Sequence, residues 1–568
     1  MNVKYYRNAL KQADAVDNEI IKALNEKKNF LVEAGAGSGK TYSLMKVLAW
    51  LHSNKAGEYA SKQQNVACIT YTNVAVDEIK RRLPEKSIAV PSTIHAFAWG
   101  AISRFQTELV KLVANLTPPN KNDGSDVFNV DYYFGKKYVQ DGYFYLGHND
   151  VIELFCQLLA KEKFRTILRN KYPIILIDEY QDTAKNVMDC FIKYFISPQK
   201  DIQFGLFGDH WQTIYSDKNV CGKVSDDGLK VIVKKVNFRS QKHVVNVLNM
   251  IRPSLPQIPA RRDNDGIVKV ILTNNYCGVR RSGAIYSGEL AEKDFADYVK
   301  STSNQLRKLG WNDDFKVLML THKLLASQQN YLDLLTLLGS DFKDKDDIHL
   351  LFFMDVVEPI YSALKEKNTN LLYEVLKENK RRIASKQEKI EWIDFGKHLQ
   401  ALRSKNISDV MAFLMDSDLI VVPEEVKAWY ESYKSEPDKK YHVGTIKDFY
   451  DIPYAQVINA IKFFEPDAMF STEHGVKGEE YDSVLYVIGR GWNQYAFDTQ
   501  LYLDEKCLKG KDLARYQRNR NLFYVCCSRA KKNLALLITV ETNAEFRQYL
   551  SNVFGEENIV EYEDFVKV

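Results

Sequence analysis

Short apolar runs that end in polar turns recur along the chain and predict buried strands. The run 29–33 (NFLVE) is apolar and rich in β-forming residues, and a glycine-rich stretch follows it. From Ser43 onward (SLMKVLAWL) apolar residues recur at helical spacing. Further buried strands are predicted over 174–179 (IILIDE), 267–272 and 315–321. These strand patterns alternate with stretches of helical pattern along the chain.

Two long stretches interrupt this alternation and read as insertions. The segment 100–171 contains a Pro/Asn/Asp-rich run (TPPNKNDGSD), and its end, over 150–168, has the pattern of an amphipathic helix. The block 324–441 is helical in pattern, with apolar stripes over 332–338 and 371–383. Such stripes are more often core positions than functional sites, so we expect these segments to form helical accessory units.

Composition limits the class of protein. A chain of 568 residues can fill several domains. Its net charge is only +4, from 78 basic and 74 acidic residues, so any nucleic-acid path must be a local channel. The eight cysteines form no paired C-x-x-C set, which favours a reducing compartment. Because the N-terminus lacks an apolar signal core and no run of about 18 apolar residues occurs, we expect a soluble cytoplasmic protein without a membrane partner.

The stretch 34–41 (AGAGSGKT) predicts a phosphate-binding loop between a strand and a helix. Backbone N–H groups at the helix N-terminus can hold phosphates, Lys40 can reach the β and γ oxygens, and the Thr41 hydroxyl can bind Mg²⁺. The strict pattern begins with Gly, whereas this chain has Ala34. A plain glycine-rich turn would not explain Lys-Thr at the mouth of the helix. We therefore expect ATP and Mg²⁺ as cofactors, with nucleotide contacts from Ala36, Gly37, Ser38, Gly39, Lys40, Thr41 and Tyr42.

Two carboxylates end the predicted strand 174–179 (IILIDE) and complete this chemistry. Asp178 is expected to bind the metal and Glu179 to act as the base that activates water. The polar continuation 180–183 (YQDT) is unusual for an ordinary strand end. Together, DEYQDT and AGAGSGKT resemble the signature of the UvrD/Rep-like helicases of superfamily 1, and further motifs resemble that family in the same order from about Phe30 to Lys532.

The resemblance assigns further residues to the ATP site. It implies that Gln212 in GLFGDHWQTIY senses the γ-phosphate, that Phe238 in NFRS packs on adenine, and that Arg239 binds the γ-phosphate from the opposite domain. It also implies that Glu480 in TEHGVKGEEY binds the ribose and that Arg529 in YVCCSRA stabilises transition-state charge. Because these residues come from two domains, hydrolysis would depend on closure of the cleft between them.

The resemblance also implies a path for single-stranded DNA. Trp211 is either a stacking platform for a base or a structural residue, and Phe97 has core packing as its alternative. The contacts that the motifs imply come from Thr72, Asn73, His95, Phe97, Trp211, Tyr215, Thr472, His474 and Lys477.

The chain departs from the family pattern at several positions. The Gly-Trp-Arg-Gly run that usually follows the Gln212 motif is replaced by 216–219 (SDKN), which puts base stacking there in doubt. The family usually has a glutamine upstream of the phosphate loop that recognises adenine. Here the only nearby glutamine is Gln12, which is farther from the loop in sequence than the family pattern expects. Arg518 and Arg520 lack the usual acidic-basic context and read as solvated helix charges or as functional cations.

The fold class implied is two tandem RecA-like P-loop domains, each a mainly parallel sheet flanked by helices, with mostly helical inserted accessory domains. The first motor domain is expected over 1–98 and 171–236, with an insertion over 99–170. The second is expected over 237–323 and 443–568, with an insertion over 324–442.

Two functions follow as expectations. The first is an ATP-dependent helicase or translocase that moves 3′ to 5′ along single-stranded DNA and separates duplex DNA, with the direction taken from the family. The second is a DNA-activated ATPase that senses ends or single strands and regulates a partner. The chain's size and compact insertions resemble the anti-phage helicases found beside an OLD-type nuclease, the Gabija arrangement. A small-molecule P-loop kinase would leave the DNA-facing motifs unexplained.

Overall fold

The protein is described from a computed structural model with side chains. The residues that it describes are 3–114, 116, 127–132, 137–140, 142–214, 220–261, 266–282, 287–319, 326, 329–339, 341–342, 347–378, 383, 385–465, 468–472, 478–489 and 501–567.

The first sheet has six parallel strands in the order β3-β2-β7-β8-β1-β9. Its inner strands are almost wholly buried, because helices cover both faces, and this explains their continuous apolar runs. Parallel strands bring their carboxyl ends to one edge, where the residues after β1, β7 and β8 meet. The strands are β1 (Asn29–Ala34), β2 (Val66–Thr70), β3 (Ala89–Thr93), β7 (Ile174–Asp178), β8 (Gln203–Gly208) and β9 (Leu229–Lys234).

The second sheet is also six-stranded and parallel, in the order β16-β13-β17-β18-β12-β19. The strands predicted over 267–272 and 315–321 are both present in it. Its strands are β12 (Val268–Leu272), β13 (Lys316–Met319), β16 (Phe470–Thr472), β17 (Tyr481–Ile488), β18 (Ala530–Ile538) and β19 (Ile559–Glu561). The expected fold class, two parallel sheets each flanked by helices, is thereby confirmed.

Each sheet has a hydrophobic core on both faces. On the first sheet α1–α3 cover one face and α4–α8 the other, and on the second sheet α9, α20 and α21 lie opposite α10 and α22. These helices are α1 (Val3–Asn25), α2 (Lys40–Ser61), α3 (Asn73–Arg82), α4 (Ile94–Ile102), α5 (Gln106–Val113), α6 (His148–Leu159), α7 (Glu162–Lys171), α8 (Lys185–Phe191), α9 (Lys242–Ile251), α10 (Glu292–Lys308), α20 (Gly510–Cys527), α21 (Ala544–Phe554) and α22 (Tyr562–Lys567).

A separate helical unit has its own core, which runs from Ala326 to Ala460. Its last helices, α18 and α19, lie beyond residue 442, so the helical packing extends past the expected end of the insertion. The unit contains α11 (Leu332–Leu338), α12 (Ile348–Phe352), α13 (Glu358–Glu366), α14 (Thr369–Glu378), α15 (Lys386–Leu402), α16 (Ile407–Asp416), α17 (Glu424–Ser435), α18 (Ile446–Tyr450), α19 (Tyr454–Phe464) and the hairpin β14 (Lys440–Tyr441) and β15 (Gly444–Thr445).

The segment 100–171 differs from its expected pattern in two ways. The helix expected over 150–168 is two helices, α6 and α7, which are separated at 160–161. A three-stranded sheet in the order β4-β6-β5 precedes them, from β4 (Asn129–Asp131), β5 (Tyr138–Gln140) and β6 (Tyr143–Tyr145). A two-stranded parallel pair, β10 (Val236–Asn237) and β11 (Ile258–Pro259), lies between the two large sheets in sequence. In the described part of the chain, we find no helix with the length and apolarity that crossing a membrane requires.

Candidate nucleotide and DNA site

A cleft of about 470 Å³ lies between the two sheets and collects most of the residues predicted for ATP. The first sheet contributes the phosphate loop and the ends of β2 and β7, and the chain after β10 and before β17 and β18 forms the other wall. The lining includes Gly37, Ser38, Gly39, Lys40, Thr41, Tyr42, Thr72, Asp178, Glu179, Gln212, Phe238, Arg239, Glu480 and Arg529.

The phosphate loop needs its glycines for conformation and for close approach. Gly37 and Gly39 have φ of 72° and 76°, which L side chains rarely adopt. The Phe238 N–H donates to the Gly37 carbonyl at 2.9 Å, and a Cβ on Gly37 would lie 2.6 Å from Cβ of Arg239. The buried Ser38 hydroxyl has no hydrogen-bond partner among the described residues. A free buried hydroxyl in this loop fits a site for phosphate oxygens.

Lys40 begins α2 and lies on the floor of the cleft. Its Nζ is 3.0 Å from Oε2 of Glu179. Burial alone would lower the pKa of Lys40, but the carboxylates of Glu179, Asp209 and Asp178 outweigh it and raise that pKa. The ammonium group therefore stays charged where a phosphate would approach.

Asp178 and Glu179 have different environments, although they are neighbours in sequence. Burial, followed by the charge of Glu179, raises the pKa of Asp178 to about 7, and the Thr41 hydroxyl interacts with the same carboxyl group. A buried carboxyl that is costly to ionise gains from a nearby cation, and carboxylate and hydroxyl oxygens are the ligands that Mg²⁺ takes. The residues present therefore fit a divalent metal.

Glu179 has a strained backbone conformation, and its carboxylate accepts a hydrogen bond from Gln181, a residue that sequence reasoning did not assign. The Glu179 φ of 49° and ψ of 48° are left-handed, which is uncommon for a non-glycine residue and typical of functional sites. The buried Gln181 donates from Nε2 to Oε2 of Glu179 at 2.7 Å and accepts the Asp209 N–H at 3.1 Å. The sequence did offer a signal for Gln181, because it belongs to the polar run 180–183 (YQDT) that directly follows Glu179.

Gln212 connects the two halves of the cleft. Its Nε2 donates to Oδ2 of Asp209 at 2.9 Å, and its Oε1 accepts from Nη2 of Arg529 at 3.3 Å. Arg529 is 1% exposed, and burial, followed by the charge of Arg239, lowers its pKa to about 10. Its guanidinium also donates to the carbonyls of Val525 and Glu479. This geometry joins the end of β8 to the start of β18.

Arg239 and Glu480, which were predicted to bind different parts of the nucleotide, form an ion pair. Nε of Arg239 donates to Oε2 of Glu480 at 2.7 Å, and Lys531 lies 3.1 Å from the other carboxylate oxygen. The Phe238 ring is partly buried against Tyr6 of α1, with 6.5 Å between ring centroids. Tyr42 is 62% exposed at the rim of the cleft.

Gln12 lies close to the phosphate loop in spite of its separation in sequence. Helix α1 is 23 residues long and runs alongside β9, and a cavity of about 270 Å³ is lined by Gln12, Ser38 and Val236. Buried Lys234 anchors this helix, because its Nζ donates to Asp17 of α1 at 3.2 Å and to Ser43 of α2 at 2.7 Å. The long α1 therefore accounts for the spacing that the sequence left open.

Of the residues predicted to contact DNA, Thr72 and Asn73 are exposed at the start of α3, where Thr72 caps the helix. His95 lies on α4 with its ring 5.1 Å from that of His148, and burial, with the charge of His148, lowers its pKa. Phe97 is buried against Phe155 and Tyr172, so its contacts are those of the core-packing alternative.

Trp211 is buried, and its surroundings favour the structural alternative over a stacking platform. The Arg520 guanidinium lies 3.8 Å from its ring centroid, the Arg252 guanidinium lies 5.3 Å away, and Tyr524 packs edge-on. These contacts cover the ring that a base would need. Arg520 is itself buried and donates to Glu505 at 2.6 Å, so it is not a solvated helix charge.

Thr472 lies at the end of β16, where it pairs with Met319 of β13. Tyr215, His474 and Lys477, and the run 216–219, lie outside the described residues.

A second, larger cavity of about 1270 Å³ lies beside the turn 210–213 and along α20. The charged side chains on its walls are basic except for Glu505, and the walls also carry the aromatic rings of Tyr502, Tyr516 and Tyr549. The basic side chains on its walls are Lys223, Lys511, Arg515, Arg518 and Arg520. Such a concentration of cations is what a nearly neutral chain requires if it binds a polyanion locally.

Comparisons with known proteins agree with this geometry. The model of an AAA domain family matches residues 17–218. The Gabija protein GajB of Bacillus cereus (strain HuB5-5) is 25% identical, over 95% of this chain and 97% of that protein. The ATP-dependent DNA helicase Rep of Escherichia coli (strain K12) is 25% identical over 41% of this chain and 42% of Rep. The RecBCD enzyme subunit RecB of Haemophilus influenzae is 32% identical over 20% of this chain and 10% of RecB.

These matches agree with the phosphate loop, the DEYQDT strand end and the paired parallel sheets. The chain is therefore similar to the UvrD/Rep-like helicases of superfamily 1 and, over almost its whole length, to a Gabija protein.

Proposed function

We propose that the protein is an ATP-driven DNA translocase that moves 3′ to 5′ along a single strand and separates duplex DNA. The observation that carries the proposal is the convergence of Lys40 and Glu179 from the first sheet with Arg239 and Arg529 from the second on one cleft. Bound ATP with its divalent metal supplies the phosphoryl group and the positive charge beside it. Closure of the cleft would make hydrolysis depend on both domains.

In this proposal each side chain has one task. Lys40 binds the β and γ oxygens, and Asp178 and Thr41 hold the metal. Glu179, oriented by Gln181, accepts a proton from the attacking water. Gln212 senses the γ-phosphate, and the buried guanidinium of Arg529 stabilises negative charge on the group being transferred.

The base and sugar of the nucleotide are proposed to bind toward α1. Phe238 would pack on adenine, and Gln12 would donate to its edge from the cavity beside Ser38. Glu480 would accept from the ribose hydroxyls, because its carboxylate lies in the cleft and its ion pairs with Arg239 and Lys531 orient it. Phe238 and Glu480 line the same cleft, and Gln12 lines the neighbouring cavity, which shares Ser38 with that cleft.

We propose that single-stranded DNA crosses both motor domains. Exposed Thr72 and Asn73 would hold the backbone on the first domain together with His95, and Thr472, His474 and Lys477 would do so on the second. The basic cavity along α20 would attract the phosphates, and its tyrosines offer rings to bases.

A second function is a DNA-activated ATPase that regulates a partner nuclease, of OLD type, in anti-phage defence. Two observations favour it. The similarity to a Gabija protein extends over 95% of the chain, and the run 216–219 (SDKN) replaces the family segment that contains the base-stacking Trp. In this reading, DNA binding would drive ATP turnover with little strand separation.

One experiment separates the two functions. ATPase rates are measured with and without single-stranded DNA, beside a strand-separation assay on duplexes with a 3′ or a 5′ tail. Stimulated turnover with unwinding from the 3′ tail alone supports the translocase, and stimulation without unwinding supports the regulatory ATPase. Turnover that DNA does not change, or that persists in Lys40→Ala, would exclude both.

A further inference from the structure

Arg252 is a buried cation that reaches from one motor domain to the other. It follows α9, which packs against α20 and β18 of the second domain. The residue is only 2% exposed, and its side chain extends to the carboxyl edge of the first sheet. Nη2 donates to Oε1 of Glu33 at 2.6 Å, and Nη1 donates to Oδ1 of Asp209 at 2.6 Å.

Arg252 also explains an acidic cluster that would otherwise look like a metal site. Glu33, Asp209 and His210 offer ligand atoms close enough to share a cation, and Nδ1 of His210 is 2.8 Å from Glu33. The guanidinium bridges both carboxylates, so the buried negative charge is already compensated. A planar fork with several donors suits this task, whereas a lysine ammonium is a point charge and cannot span both carboxylates in the same way.

The contacts of Asp209 continue from Arg252 into the ATP cleft. Oδ1 of Asp209 binds Arg252, while Oδ2 accepts from Nε2 of Gln212 at 2.9 Å. Gln212 in turn accepts from Arg529. Gln212 and Arg529 line the cleft, and Arg252 is not part of that lining.

A second contact path runs from Arg252 to the phosphate loop. Its guanidinium lies 5.6 Å from the ring centroid of Tyr524, and the Tyr524 hydroxyl accepts the Ala36 N–H at 3.1 Å. Burial opposes the charge of Arg252, but the carboxylates of Asp209 and Glu33 and the contact with Tyr524 outweigh it and raise its pKa. The cation is therefore permanent, and it is positioned by both domains.

We propose that Arg252 is a positioning residue of the ATPase. By fixing Asp209, it holds the amide of Gln212 between the cleft and Arg529, and it does so without touching the nucleotide. The inference rests on the proposed ATPase function. A side chain that acts in this way should influence turnover more than nucleotide affinity, because misplacing a reacting group by about 1 Å can cost on the order of 10²-fold in rate.

The test compares Arg252→Lys with Glu33→Gln in the full-length protein. Arg252→Lys keeps the charge but loses the fork, and we expect kcat of DNA-stimulated hydrolysis to fall roughly 10- to 100-fold. The affinity for a non-hydrolysable ATP analogue should stay within about twofold. Glu33→Gln leaves the hydrogen bond from Arg252 to Asp209 in place, so kcat should stay within about twofold of wild type. Unchanged kcat in Arg252→Lys, or an equal loss of analogue affinity, would overturn the proposal.

A double-mutant cycle distinguishes positioning from general damage. Hydrolysis is measured in single turnover with excess enzyme for Arg252→Lys, Gln212→Ala and the double variant. If Arg252 acts through Gln212, its substitution should have less than about a twofold further effect in the Gln212→Ala background. Effects that multiply would contradict this route.

A substitute variant and the activity of the wild type separate failure of the Arg252 role from failure of the proposed function. Should Arg252→Lys not fold, as judged by its thermal melt, Asp209→Asn tests the same link from its other end in the same cycle. Wild-type protein without DNA-stimulated hydrolysis would remove the proposed function itself. An active wild type with a neutral Arg252→Lys removes only the role of Arg252.

Discussion

At the scale of single residues, the proposed hydrolysis depends on Glu179, the proposed base, whose backbone conformation is left-handed. Glu179→Gln keeps the size of the side chain and the contact to Lys40 but removes the proton acceptor. We expect turnover to fall on the order of 10²–10⁴-fold, because that is the usual contribution of general-base catalysis. ATP-dependent closure and DNA binding should persist, since the phosphate loop is unchanged. The measurement is single-turnover hydrolysis beside binding of a fluorescent ATP analogue.

Lys40→Ala is the matched comparison, because it removes the other member of the same 3.0 Å ion pair. Here nucleotide binding as well as turnover should be lost, since the ammonium is proposed to bind the phosphate oxygens directly. Wild-type turnover in either variant would contradict the assignment of the motor site.

Residue types and spacing predicted the part of the cleft that lies on the first sheet, and the family resemblance supplied the residues of the other wall. Lys40 follows β1 through the phosphate loop, and Asp178 and Glu179 lie at the end of β7, so a sequence pattern can place them at one sheet edge. Arg252 and Tyr524 could not be assigned, because their partners are far away in sequence and belong to the other domain. The burial of Trp211 has the same cause: Arg520, on a distant helix, covers its ring.

At the scale of elements, the phosphate loop depends on the close approach of the chain after β10. Gly37→Ala introduces a Cβ 2.6 Å from Arg239 and 2.8 Å from Asn237, at a φ that costs a non-glycine residue roughly 1–2 kcal/mol. We expect ATP affinity to fall at least about tenfold, because the loop must move from its phosphate-binding shape. The measurement is titration with the fluorescent analogue.

Gly57→Ala is the control within the same strand-loop-helix element. Gly57 lies on the exposed face of α2 with open space around it, so alanine should stabilise the helix by about 0.5–1 kcal/mol and leave ATP affinity unchanged. Equal ATP affinity in the two variants would contradict the role of the close contact.

The helical unit contains a buried polar cluster that should make its stability depend on pH. His442 lies 2.8 Å from Asp341 and 2.9 Å from Asp347, and its hydrogen bond with Asp347 raises its pKa. The stabilisation is complete below the ordinary pKa of 6.5 and is lost as pH rises through the raised value. Burial lowers the pKa of neighbouring His349 to about 4, so its contribution is lost on the acid side instead.

We therefore expect the unit to lose stability as the pH rises above about 6.5. His442→Gln should abolish this slope, because the variant has no titrating group at that position. His398→Gln, at an exposed site on α15, should keep it. Amide hydrogen exchange of peptides covering 347–352 and 440–450, with rates corrected for intrinsic pH dependence, measures local opening. An alkaline slope that survives in His442→Gln would contradict the assignment.

Element patterns were predicted best where a strand is covered on both faces. The apolar runs that predicted four buried strands correspond to strands in the structure. These are β1, β7, β12 and β13. The break between α6 and α7 and the small sheet of β4–β6 were missed. These elements pack on the first domain, and contacts between segments that are distant in sequence cannot be seen in a local periodicity.

At the scale of the whole molecule, a chain of net charge +4 must concentrate its cations to bind DNA. The large cavity along α20 is one such concentration, and Lys511 and Arg515 lie on its wall without taking part in the ATP cleft. If single-stranded DNA runs there, each side chain neutralises phosphate and releases counterions on binding. Affinity should then fall with salt, with a slope of about −0.7 per phosphate contact for single strands.

Lys511→Ala and Arg515→Ala should each weaken binding of a fluorescent oligothymidine and reduce that logarithmic salt slope by about 0.7. Lys427→Ala, on exposed α17 of the helical unit, removes the same charge away from the cavity and should leave the slope unchanged. Anisotropy titrations at several salt concentrations measure all four proteins. An unchanged slope in both cavity variants would place the strand elsewhere, whereas a loss in all three would reflect only the net charge. Because neither cavity residue lines the cleft, basal ATP turnover without DNA should be equal in every variant, so a change in DNA-stimulated turnover would report strand binding alone.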